Sequence, residues 1–149
     1  MASSPLRRAF AATGKTANQR AVEGMDDVMA NLNREIAAIE NRTSAGLLAA
    51  GLIVQGESQR RVPVEYGNLR GSAFTRKTPE SELVVEVGYG ADYAVYVHEN
   101  LEQVLKGKPR PSGIGVYWGP EGEPKFLENA AREKEGEILE TVAAYAEVK

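Results

Sequence analysis

Cysteine is missing altogether, histidine and tryptophan occur once each, and no apolar run approaches the roughly 18 residues a membrane-spanning helix needs. The lack of cysteine excludes disulfides, thiolate metal sites and cysteine nucleophiles, so packing alone must hold the fold; a reducing cytoplasm suits such a chain. With 18 Lys and Arg against 21 Asp and Glu, the net charge of -3 excludes the overall basic field on which nonspecific duplex binding depends. The start of the chain has no basic stretch followed by a hydrophobic run, so no signal peptide is expected there. What remains is 149 residues, 42% hydrophobic and 26% charged, the composition of one globular domain.

The charge is unevenly spread. Before Glu23 stand Arg7, Arg8, Lys15 and Arg20 with no acid, whereas from Gly119 onward eight glutamates face Lys125, Arg132, Lys134 and Lys149. Residues 1–24 hold few large apolar side chains and read as a flexible basic arm, since little burial would offset the entropy of ordering them. Residues 25–149 read as a single α+β domain.

From about Met25 the pattern changes. Val28, Leu32, Ile36, Ile39, Leu47, Ala50 and Val54 fall at helical spacings of three and four, with Thr43 in the gap. This predicts an amphipathic helix to about Gln59, with Asp26 and Asp27 in its first turn, where carboxylates suit the helix dipole. Such a helix is longer than a small domain is wide. The polar cluster Asn41, Arg42, Thr43, Ser44 and Gly46 is the natural place for a kink or break. Leu48 and Leu52 form a second apolar row, which serves either as core or as a subunit contact.

Pro63 ends the helix, because its ring cannot continue the ladder and it restricts Val62. Ala73 to Lys77 and Glu82 to Val87 then read as an antiparallel hairpin, with Gly88 to Gly90 breaking the second strand. Tyr93, Ala94, Tyr96 and Val97 form an aromatic and apolar cluster in a strand end or short helix. Lys106 to Gly115 has a loop composition, and Val116, Tyr117 and Trp118 are expected to add a third strand. Beyond Pro124, the apolar positions Leu127, Ala131, Ile138, Val142 and Tyr145 predict one C-terminal helix. The order of long helix, small antiparallel sheet and helix defines the α+β class.

Candidate chemistry is thin. His98 has Glu99 beside it and Asp92 upstream, and Glu102 is its only partner at helical spacing, too little for a metal site or a catalytic triad. No catalytic, metal-binding or cofactor-binding residue is therefore assigned, and no cofactor is expected. Gly88 and Gly90 lack the third glycine and following helix of a dinucleotide fingerprint. Arg7 and Arg8 in the arm, with Lys106, Lys108 and Arg110 in the loop, are the candidate contacts to DNA or a partner, without the interleaved aromatics of a stacking platform.

Val62-Pro63-Val64-Glu65-Tyr66-Gly67-Asn68-Leu69-Arg70-Gly71-Ser72, after a long helix, resembles the Pro-Val-Asp-Thr-Gly-x-Leu-Arg-x-Ser signature of tail-completion, or head-tail joining, proteins of tailed bacteriophages. Val87-Gly88 at a strand end, then Tyr93-Ala94 and Val97-His98-Glu99, resemble that family's next block. Pro124-Lys125-Phe126-Leu127 resembles the opening of its last helix. Glu65 and Tyr66 depart from the usual Asp and Thr, and Asn100 to Lys108 replaces the Gly-Thr that commonly follows the Glu.

The resemblance implies that Pro63, Gly67, Leu69, Ser72, Gly88, Phe126 and Leu127 are motif and core positions. It further implies a non-enzymatic virion protein forming a hexameric ring at the neck or head-proximal end of the tail, closing the tail tube and joining it to the head. Its partners would be sister copies, head-tail connector or stopper and tail-tube proteins, and in passing the genomic DNA, with no membrane; before assembly it would sit in the host cytoplasm. Leu48, Leu52, Tyr93, Tyr96, His98, Glu99, Tyr117 and Trp118 are the candidate subunit contacts, since amphipathic aromatics commonly anchor interfaces. The rival expectations are a small nucleic-acid-binding protein and a small hydrolase centred on His98.

Overall fold

The computed structural model describes residues 16–102, 106–119 and 121–147. The elements in order are α1 (Ala17–Arg61), α2 (Asn68–Gly71), β1 (Ala73–Thr78), β2 (Ser81–Tyr89), α3 (Ala94–Glu99), α4 (Phe126–Glu133) and α5 (Glu135–Ala146). This is the expected α+β layout. The chain divides into two compact units, Met1–Ala38 and Ile39–Lys149.

In the first unit the described residues are almost wholly the opening stretch of α1, which begins at Ala17, ahead of the expected start near Met25. Val22, Met25, Val28, Met29, Leu32 and Ile36 are all exposed there.

In the second unit, α1 runs through Asn41 to Gly46 as continuous helix, so the expected break does not occur there. The residues that suggested it have tertiary contacts instead. Ser44 Oγ donates to the Glu82 carbonyl at 2.7 Å. Gly46 lies so close to α5 that a Cβ there would stand 2.7 Å from Tyr145 Cβ and 3.4 Å from the Val142 backbone. One turn on, a Cβ at Gly51 would stand 2.7 Å from Thr75 Cγ2 and 2.9 Å from Val85 Cγ1. Small residues thus let this stretch of helix approach both the hairpin and α5. Thr75 Oγ1 donates to Gln55 Oε1 at 2.6 Å, and Ser58 Oγ meets the Tyr89 hydroxyl at 2.8 Å.

The sheet is the hairpin alone, with Ala73 opposite Tyr89 and Thr75 opposite Val87, and a register shift at Lys77/Thr78. Gly88 faces Phe74, and an added Cβ would sit 3.0 Å from the ring edge. β2 continues through Gly88 to Tyr89, two residues beyond the expected break.

The expected third strand does not form among the described residues. Val116 makes one isolated bridge with Pro109, inside a local loop where Tyr117 N donates to the Lys108 carbonyl at 2.8 Å. Positive φ at Gly113, Gly115 and Trp118 breaks the extended run that a sheet strand requires. Nor is the C-terminal segment one helix. It breaks at Lys134, so that Phe126 and Ala130 of α4 are buried while Val142 and Tyr145 of α5 lie against Gly46.

The main core cluster sits just past the end of α1, where Val62, Leu69, Ala94 and Phe126 pack together with Tyr89, Ala91, Val97 and Leu127 around them. Pro63 stops the helix there, and Gly67 with φ 82° turns the chain into α2 so that Leu69 points inward while Arg70 stays exposed.

Candidate assembly surface

Ser72 fixes the approach to α3. Its carbonyl accepts from Gly90 N at 2.9 Å and its hydroxyl accepts from Ala91 N at 3.2 Å while donating to the Leu69 carbonyl at 2.7 Å. Ala94 N then donates to the Ala91 carbonyl at 2.9 Å, which starts the six-residue α3. The α4 end is tied to the same place, because Lys125 N donates to the His98 carbonyl at 2.7 Å.

Between α3 and α4 lies an open apolar slot of about 240 Å³, lined by Tyr89, Ala94, Val95, His98, Glu99, Phe126 and Leu127. Phe126 forms its floor, with Tyr89 edge-on at 5.1 Å and His98 edge-on at 5.0 Å between ring centroids. At the rim, Glu99 receives Lys125 Nζ at 2.7 Å and pairs with His98 Nδ1 at 2.8 Å. These contacts hold the Glu99 carboxyl below its usual range, Lys125 contributing most and His98 next. Burial pushes the Tyr89 phenol up.

Beneath α4, Arg61 closes α1 with three carboxylates. It donates to Glu57 Oε1 and Glu123 Oε1, each at 2.9 Å, and to Glu133. Arg61 is held charged, first by Glu123 and then by Glu57. Glu57 is buried, and its hydrogen bond from Arg61 is the main reason its carboxyl lies below the usual range.

The expected contact residues fall into two groups. Tyr93 is 48% exposed and Tyr96 74%, Leu52 is 54% exposed, and Glu99 is exposed. Leu48, His98 and Tyr117 are half-buried. Trp118 is buried within its own fold, at 7% exposure. The motif positions Pro63, Leu69 and Phe126 are buried, Leu127 is half-buried, and Gly67, Ser72 and Gly88 have the backbone roles given above.

In the loop, Lys106 and Lys108 are exposed, but Arg110 is taken up internally, donating to the Glu65 carbonyl and lying 4.9 Å over the Tyr66 ring. Arg7 and Arg8 lie outside the described residues. His98 does not gather a catalytic set: Nδ1 is engaged by Glu99 and the enclosed Nε2 has no hydrogen-bond partner. Among the described residues no group of three or more His, Asp or Glu could hold a metal ion, and no helix is long and apolar enough to cross a membrane.

Sequence reasoning missed the Arg61 cluster, whose partners are up to 72 positions apart. It also missed the first part of the exposed stripe, which the spacing of Val22, Met25, Met29, Leu32 and Ile36 could have revealed.

Among the described residues, the exposed aromatics, the apolar slot and the exposed apolar helix face are surfaces suited to contact with other proteins. Residues 26–99 match the model of the HK97-gp10-like family, described as "Bacteriophage HK97-gp10, putative tail-component". The resemblance carried by the motifs is thereby shown over residues 26–99, which are similar to this family from within α1 to the end of α3. The protein is a structural, tail-associated component of a phage virion, and its partners are other phage tail and head proteins. No curated protein and no solved structure matches the chain.

Proposed function

We propose that the protein forms a hexameric ring at the neck or head-proximal end of the tail, closes the tail tube there and joins it to the head. The observation that carries this reading is the exposure of Val22, Met25, Val28, Met29, Leu32 and Ile36, each at least half uncovered in the lone chain. Monomeric soluble proteins seldom leave so continuous an apolar face in water, and a sister copy would cover it. A ring closes when one unlike-to-unlike contact repeats until the rotation returns to its start. Leu48, Leu52, Tyr93, Tyr96, His98, Glu99 and Tyr117 contribute to that contact in this reading.

No bond is made or broken; the work is done by surface complementarity. The glutamates of the C-terminal third, placed toward the channel, would repel DNA phosphates and keep the passage from binding the genome. Among the described candidates, Lys106 and Lys108 are the exposed side chains for a passing phosphate contact. The test is the native mass of the purified protein together with its position in an averaged image of the particle. A six-subunit mass and density between head and tail tube are expected. A monomeric mass and absence from that position would refute the reading.

A further inference from the structure

The molecule carries two exposed apolar surfaces that differ in shape. One is the stripe Val22, Met25, Met29, Leu32 and Ile36, 50 to 62% exposed, whose positions alternate by three and four. The other is the α3–α4 slot of about 240 Å³, with Val95 on its wall and Tyr96 beside it, each 74% exposed. We propose that the stripe of one copy seats in the α3–α4 slot of the next, and that this is the repeated contact of the ring. The inference rests on the ring reading above and names its interface.

Two observations favour a neighbouring copy's slot over a neighbouring copy's stripe. In a parallel pairing of two stripes, Glu35 would stand beside Glu40 of the other helix, a like-charge contact. Val28 widens the stripe to about 120° of the helix circumference, the width of a helix lying on a folded surface and more than a two-stranded seam uses. The slot itself is lined mainly by Tyr89, Ala94, Val95, Phe126 and Leu127, a lining that takes the flexible thioether of Met25 or Met29. Two unlike faces on every copy are what a closed heterologous ring requires.

The experiment pairs Leu32→Glu, which spoils the stripe, with Val95→Glu, which spoils the slot. Both positions are more than half exposed, and circular dichroism checks that each variant keeps its fold. Native mass and sedimentation are measured for the wild type, for each variant alone and for an equal mixture. Wild type is expected to assemble, and each variant to associate at least ~30-fold more weakly. The mixture is expected to form a one-to-one dimer, because a Leu32→Glu copy keeps its slot and a Val95→Glu copy keeps its stripe. Rings that persist in the folded Val95→Glu variant, or a mixture that gives no dimer, would overturn this interface and leave the ring reading standing. A wild type that stays monomeric at every concentration would overturn both.

Discussion

The two stretches of α1 are the instructive pair. Residues 17–38 leave Val22, Met25, Val28, Met29, Leu32 and Ile36 in water, whereas residues 39–61 bury Val54 together with Ser44, Gly46, Ala50, Gly51 and Ser58. Hydrophobicity alone would not separate them, since each stretch carries six large apolar side chains. What decides burial is whether a surface can come close: Gly46 admits α5 and Gly51 admits the hairpin, each so tightly that a methyl group would collide. Close approach also brings Ser44 and Ser58 within reach of Glu82 and Tyr89, so the small polar residues are satisfied where they are buried. Among the described residues of its unit the first stretch has no such partner, and that is the physical ground for the proposal that another chain covers it.

The largest expected effect on this contrast is at Phe126, 1% exposed and packed against Tyr89 and His98. Phe126→Ala should cost about 3–5 kcal/mol, through lost transfer energy and the cavity left behind, read as a lower midpoint in urea. It should also collapse the slot floor and weaken assembly with it. Next is Arg61→Ala, which leaves the buried Glu57 without its main hydrogen bond and should cost about 2–3 kcal/mol. A pH series sharpens the point. The folded Glu57 carboxyl lies below its ordinary value of 4.5, so its contribution is complete above that value and is lost as pH falls through the lower folded one. Wild type should therefore lose stability on the acid side more steeply than Glu57→Gln, measured by urea midpoints from pH 6 down to about pH 3.

Gly46→Ala tests the close-packing half of the comparison directly. Alanine is the better helix former by about 1 kcal/mol, so in a helix with room to spare the substitution would stabilise. Here the new methyl meets Tyr145, and the expected result is a net loss of about 1–2 kcal/mol, visible as a lower thermal midpoint. The same glycine shows where the sequence could be read and where it could not. Periods of 3.6 and 2 identify α1, the hairpin and the C-terminal helical segment, because they depend only on neighbouring residues. Pro63, Gly67 and Leu69 could be placed for the same reason, as a stop, a turn and a plug. Ser44 and Gly46 read locally as a kink, since only the position of Tyr145, a hundred residues on, reveals them as a contact. Val116 and Trp118 read as a strand by composition, but the left-handed backbone at Trp118 folds that ring inward. Of the candidate surface, the aromatics of α3 were legible. The slot was not, because its walls come from α3 and α4, separated in sequence by the whole 100–125 segment.

The smallest expected effect on folding is at Leu32, and it divides the two stretches most cleanly. Leu32 is 52% exposed, so Leu32→Ser removes little that the lone chain buries and should change the unfolding free energy by no more than about 0.5 kcal/mol. Ala50→Ser, one apolar position in the second stretch at 4% exposure, should cost more, because it adds a hydroxyl to a tightly packed face. Urea midpoints measured at dilutions where the protein is dispersed check both values. Repeating the Leu32→Ser measurement at rising protein concentration separates folding from assembly: the wild-type midpoint should climb with concentration as sister copies cover the stripe, and the variant's should climb less. A large loss for Leu32→Ser in the dispersed protein would mean that residues 17–38 already have a partner within their own chain, and the contrast between the two stretches would disappear.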